Sequence, residues 1–123
     1  QGITEGSIRV MQDAEDRLPV LSAMCFNNPP VVVSESNHDG TLPGEMSYLS
    51  LEAEKAMIGV AKYAEDGNGI IVRISDYSGK VQQTILSVFE KQHTIQLGRN
   101  EIKTLLITDD HVVEVNMIET GEN

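Results

Sequence analysis

The side chains best suited to hold a metal or move a proton near neutral pH are three histidines, His38, His93 and His111, well separated in the chain. A metal site usually declares itself by a close ligand pair, such as His-x₃-His or Cys-x₂-Cys, and neither spacing occurs. Each histidine sits beside loop-like or polar residues and reads as a surface imidazole. Asp66-Gly67-Asn68-Gly69 and Asp109-Asp110 carry oxygens that suit calcium. Neither completes a calcium loop, and such clusters are ordinary turn chemistry. Cys25, the single cysteine, lies in the apolar run from Val20 to Phe26 and is expected to be buried and inert. Gly-x-Ser-x-Gly is absent, as is a phosphate-cradling glycine loop followed by Lys-Ser/Thr. The many acidic residues offer material for a glycosidase pair, but no spacing selects two of them. No catalytic, cofactor-binding or metal-ligating residue is assigned, and the residue chemistry reads as a binding, structural or interaction domain.

The chain that must position these groups has 123 residues, the size of one domain. At that length about two-thirds of the unfolded surface is buried on folding, enough for a core without disulfide staples. Its net charge of −10 opposes phosphate backbones and anionic membrane surfaces, so neither nucleic acid nor membrane is expected as a partner. No apolar stretch approaches the ~20 residues that span a bilayer, and the start lacks a signal-peptide pattern. A soluble protein of the reducing cytoplasm is expected. There is no Trp, and the aromatics are Tyr48, Tyr63, Tyr77, Phe26 and Phe89, scattered through apolar runs as core residues would be. Sugar-binding modules stack pyranose rings on exposed aromatic faces, so this distribution disfavours a stand-alone lectin.

After the first forty residues, two-residue alternation and turn punctuation dominate. Asn28-Pro29-Pro30 stops whatever precedes it, and Val31-Val32-Val33 reads as a short strand. Residues 37–44 read as loop, and Met46 to Leu51 as a loose strand. Glu65-Asp66-Gly67-Asn68-Gly69 is the strongest turn signal and leads into the β-branched strand Ile70 to Ile74. Ser78-Gly79 turns into Val81 to Phe89; Gly98-Arg99-Asn100 leads to Ile102 to Ile107; Asp109-Asp110 turns into Val112 to Ile118. Ala53, Ala56, Met57, Val60, Ala61 and Ala64 recur at helical spacing, so Glu52 to Ala64 taken alone reads as an amphipathic helix. The tight turn that follows suits instead a hairpin with Ala56 to Tyr63 as its first arm. Strands this short, with turns every ~8–12 residues, predict an all-β fold, an antiparallel β-sandwich of about seven to nine strands. Residues 1–16 are polar and weakly patterned, a frayed edge or a cloning boundary, and residues 17–123 are expected to form one sandwich domain.

Four blocks in this order resemble the C-terminal β domain of glycoside hydrolase family 38, the α-mannosidases. Phe26-Asn27-Asn28-Pro29-Pro30 is similar to the Asn-Pro that opens this region in bacterial members, and Tyr48-Leu49-Ser50-Leu51 is the second block. The third, from Ile58 to Ile74, carries Ala61-Lys62-Tyr63-Ala64-Glu65-Asp66-Gly67-Asn68-Gly69 and then Arg73. It resembles the family's Ala-x-Lys-x-Ala-Glu-Asp-Gly-x-Gly stretch with its following Arg, and is the most specific of the four. The fourth is Glu101-Ile102-Lys103-Thr104-Leu105 with Val115-Asn116-Met117-Ile118-Glu119. Asn100 stands where the family usually has an aromatic or aliphatic residue, and Ile74-Ser75-Asp76 replaces the commoner sequel to the Arg.

The resemblance implies a non-catalytic C-terminal β-sandwich of a longer retaining enzyme that hydrolyses α-mannosides. Its aspartate nucleophile and its zinc, held by Asp and His, would belong to an upstream α/β barrel, leaving no cofactor in this fragment. The partners implied are upstream domains of the same polypeptide, with mannoside met only through the parent. A face exposed by isolating the fragment would favour a homodimer. The resemblance also favours strand for Ala56 to Tyr63. The competing readings are an independent carbohydrate-binding module, which requires the few aromatics to line one concave face, and an Ig-like interaction domain.

Overall fold

The computed structural model describes residues 2, 3, 5–10, 18–36, 39–109 and 111–119, in two compact units, Gln1–Leu42 and Pro43–Asn123. In the first unit a helix, α1 (Leu18–Asn27), ends where the prolines require it. The amide of Asn28 donates to the Met24 carbonyl at 2.8 Å, and the Asn27 and Asn28 side-chain amides donate to the carbonyls of Ala23 and Met24. The Arg9 guanidinium lies 5.2 Å from the Phe26 ring centroid. Two expectations fail here. Cys25 is exposed, because a helix distributes an unbroken apolar run around its whole circumference. Val31, Val32 and Val33 are also exposed and form no strand, since β-branched residues need a ladder partner and none of the described residues of this unit supplies one.

The second unit is an antiparallel β-sandwich, as the turn spacing predicts. Its strands are β1 (Leu49–Glu52), β2 (Ala56–Tyr63), β3 (Ile70–Asp76), β4 (Gln82–Val88), β5 (Lys91–Leu97), β6 (Ile102–Ile107) and β7 (Val112–Val115). One sheet has the order β1-β4-β5 and the other β2-β3-β6-β7. Residues 56–63 form a strand despite their helical periodicity, and pairing with β3 explains why. The register skips Gly59 between Ile58↔Ile74 and Val60↔Arg73, so a bulge breaks the simple alternation that a strand would otherwise show. Strand β5 gave little sequence signal, because the turn before it is Phe89-Glu90 and contains no Gly, Pro or Asn.

Between the sheets Val72 and Ile74 of β3, Leu105 and Ile107 of β6, Leu86 and Val88 of β4 and Ile95 and Leu97 of β5 form the main core. Full burial of a side chain of this size contributes roughly 1.5–3 kcal/mol, which makes this core the main source of stability. A smaller cluster of Ala64, Ile71 and Val115, with Leu106 against it, forms beside it. Ile71 and Leu106 alternate along their strands with core residues, which places them on the outer face of the four-stranded sheet.

All three passages between sheets, β1 to β2, β3 to β4 and β5 to β6, occur at one end of the sandwich. Asp76 binds that end. Its buried carboxylate accepts from the amides of Ser78 (3.1 Å), Gly79 (3.3 Å) and Asn100 (2.8 Å) and from the Gln82 side chain. Its own amide donates to the Glu101 carbonyl at 2.8 Å, while the Tyr77 amide and Gln82 side chain reach the Lys55 carbonyl. Burial pushes the Asp76 carboxyl up, but its hydrogen bonds to Ser78, Asn100 and Gln82 outweigh this and hold it below the usual carboxylate range.

Two expected outcomes test this framework. Gly69 has φ 138°, and a Cβ there would lie 2.4 Å from the Ile107 carbonyl oxygen. Gly69→Ala should lose roughly 2–4 kcal/mol in urea unfolding, whereas Gly59→Ala, whose Cβ would meet only the Ser75 hydroxyl at 3.9 Å, should stay within about 0.5–1 kcal/mol of the wild type or gain. Asp76 has a folded pKa below its unfolded one, so its contribution is complete above the unfolded value and fades as pH falls through the folded value. Asp76→Asn presents an amide to donors, and should cost roughly 2–4 kcal/mol at pH 7 and remove that acid-limb dependence.

Candidate functional site

The opposite end of the sandwich is open. The three hairpin turns, β2–β3, β4–β5 and β6–β7, gather there with the segment entering β1. Between them lies a groove of about 860 Å³, lined by Met46 to Tyr48, Gly67 to Ile70, Val88 to Lys91, His93, Ile107 to Asp109 and His111.

Local chemistry builds each wall. In the β2–β3 turn the Asp66 carboxylate accepts from the Asn68 amide at 2.9 Å and the Asn68 side chain at 3.1 Å. Those bonds from Asn68 hold the Asp66 carboxyl down. Gly67 and Gly69 supply the positive φ values that the turn requires. In the β6–β7 turn the Thr108 amide donates to the His111 carbonyl at 2.9 Å. The Lys91 ammonium donates to the Asp109 carbonyl, tying the β4–β5 turn to the β6–β7 turn.

The β4–β5 turn is unusual. Val88 pairs with Lys91, leaving Phe89-Glu90 as a two-residue loop, and Phe89 adopts φ 52°. Glycine or asparagine ordinarily occupies such a position, and for a bulky side chain the backbone is strained. The Phe89 amide donates to the Tyr48 carbonyl at 2.7 Å, and the two rings meet edge to face with centroids 5.6 Å apart. Both rings remain exposed, Tyr48 by 59% and Phe89 by 61%.

These rings correct the expectation that the aromatics form the core. Tyr48, Tyr63 and Phe89 are all exposed, Tyr77 is half-buried, and the core is aliphatic. Two of the five therefore share one concavity, which no spacing in the chain could reveal because Tyr48 and Phe89 meet only through β1–β4 pairing. The same fold brings His93, half-buried, and His111, exposed, to the groove. His38 and Asp110 lie outside the described residues. Among the described residues no group of three or more His, Cys, Asp or Glu is placed to hold a metal ion.

Lys62, Arg73 and Glu119, from the third and fourth of the blocks described above, come together on the outer face of the four-stranded sheet. Glu119, at φ 69°, turns its carboxylate toward Lys62 at 2.8 Å and Arg73 at 3.0 Å, and accepts from the Glu65 amide at 3.3 Å. Arg73 also donates to the Met117 carbonyl at 2.9 Å, and Lys62 reaches Glu65 at 2.6 Å. The Lys62 hydrogen bond is the main cause holding the Glu119 carboxyl below its ordinary range, and the same bond raises the Lys62 ammonium. Asp66, Asp76 and Glu119 are thus all stabilised as anions, the reverse of the shift that a glycosidase general acid needs.

No protein-family model, no curated protein and no solved structure matches this chain.

The ion-pair cluster has a pH signature. Because the folded Glu119 pKa is lowered, its contribution is present at neutral pH and is lost as pH falls through the folded value. Carboxyl-carbon NMR should therefore place the Glu119 midpoint below that of a free glutamate. Glu119→Gln should speed hydrogen exchange of the Glu65 amide while leaving the Asn100 amide, at the other end of the sandwich, unchanged.

Proposed function

We propose that this chain is a non-catalytic β-sandwich accessory domain of a larger, cytoplasmic glycosidase, and that the parent is a retaining α-mannosidase resembling family 38. The observation that carries the accessory role is the four-stranded sheet, which bears apolar side chains on its outer face as well as its inner one, beside the cluster of Lys62, Arg73 and Glu119. Ile71 is wholly buried on the outer face, Leu106 and Val115 lie with it, and Val113 and Ile102 remain 49% and 55% exposed. An antiparallel sheet that faces water on one side normally alternates apolar with polar residues. Here the exposed outward side chains of Val113 and Ile102 instead offer a packing surface for another domain of the same polypeptide.

The polar residues shared with the family's blocks are consistent with that role. Lys62, Arg73 and Glu119 close an ion-pair cluster, Asp66 shapes a turn, and Gly69 permits close approach to Ile107. Each does structural work, as expected of a domain whose chemistry resides elsewhere. No helix among the described residues is long and apolar enough to cross a membrane.

The test is made on the natural polypeptide. Its coding sequence upstream of this chain should specify a barrel with Asp and His metal ligands, and the whole enzyme should release mannose from α-mannosides in a zinc-dependent way. Introducing Val113→Glu together with Ile102→Glu should shorten its half-life to thermal inactivation several-fold while leaving KM unchanged. A natural polypeptide without such a barrel overturns the mannosidase parent. Unchanged thermal inactivation of the double variant overturns packing through this face.

A further inference from the structure

The open end of the sandwich carries features that packing does not require. We propose that the groove between the hairpin turns binds a neutral oligosaccharide, with one or two pyranose rings seated on Phe89 and Tyr48. The inference does not depend on the identity of the parent enzyme.

Phe89 is the first observation. At φ 52° a glycine would make the same two-residue turn without strain, and the phenyl ring gains little burial in return, being 61% exposed. Strain held at an exposed aromatic, with a second exposed aromatic locked against it, is accounted for if the pair meets a ligand. The groove is the second. Its volume of about 860 Å³ falls among clefts that take small ligands, and its lining mixes apolar residues such as Ile70, Val88 and Ile107 with polar ones such as Asn68, His93 and His111.

Charge selects the ligand class. Glu90 and Asp109 stand beside Lys91, whose ammonium is already engaged by the Asp109 carbonyl. Among the described lining residues no cluster of lysines or arginines is present to hold a phosphate or carboxylate tightly. Asn68, His93 and His111 each combine donor and acceptor capacity on short, constrained side chains. A hydroxyl matches such groups because it also donates and accepts. The C–H face of a pyranose is apolar and suits an aromatic ring, while its equatorial hydroxyls reach outward to the polar rim. The aromatic pair and the mixed rim together therefore favour a sugar.

The test uses the chain itself, titrated in ¹⁵N-correlated NMR spectra with α-1,2-mannobiose and with cellobiose at millimolar concentrations. Saturable shifts are expected at Phe89, Lys91, His93 and the Asn68 side-chain amide for at least one disaccharide, and not at Asp76 or Gln82. Phe89→Gly should weaken that binding at least tenfold while the melting temperature holds or rises, since glycine suits the turn. His111→Ala should weaken it with the remaining spectrum unchanged. The proposal is overturned if neither disaccharide gives saturable shifts, or if Phe89→Gly binds as the wild type does. It is likewise overturned if inorganic phosphate or a polyproline peptide occupies the groove where the sugars do not.

Discussion

The sandwich depends on one buried carboxylate. Asp76 ends β3 where the chain leaves the four-stranded sheet for the three-stranded one, and it accepts from Ser78, Gly79, Gln82 and Asn100. Two of the inter-sheet passages are thereby fixed to one group, and Gln82 and Tyr77 extend the network to the third through Lys55. Donors so numerous offset the cost of burying the charge, which is why the group stays ionised despite its burial. An apolar core can hold two sheets together but sets their relative position weakly, because dispersion and hydrophobic contacts are not directional. Directional bonds to a single anion supply what the core lacks.

Closing one end in this way leaves the other available. The hairpin turns make few demands on one another, and the chief link between the second and third is the Lys91 ammonium on the Asp109 carbonyl. A rigid scaffold with turns free at one rim is a common arrangement for recognition, since turn residues can change without disturbing the core. The strained Phe89 belongs to that rim. Its geometry is held by β-ladder pairing on either side, Val88 with Lys91 and Leu49 with Val88, so the scaffold maintains a conformation the turn would not choose alone.

The outer face of the four-stranded sheet is built differently. Ile71 and Leu106 face away from the main core, and the chain near Glu119 folds back to cover part of that surface through Arg73 and Lys62. The two proposals thus place packing and recognition on separate surfaces, the sheet face for a neighbouring domain and the turn rim for a ligand.

Much of the fold was legible because it is local. Ile70 to Ile74 and Ile102 to Ile107 are β-branched or alternating runs between turn residues, and such signals need no distant partner. Ala56 to Tyr63 was legible from its residues only through its hairpin turn, for the Gly59 bulge blurs the two-residue period. Strand β5 lacked turn punctuation, and Cys25 and Val31 to Val33 misled because apolar composition alone does not say what lies beside a residue. The sequence by itself determined the class of fold, the turns, and the want of a metal or nucleophile motif, all of which are written in neighbouring residues. Only the tertiary structure decided that Tyr48 meets Phe89, that His93 and His111 share a groove, and that Lys62, Arg73 and Glu119 form one cluster. Those groupings join residues up to 57 positions apart, as between Lys62 and Glu119, through sheet register and chain crossing, which set distances that no local pattern carries.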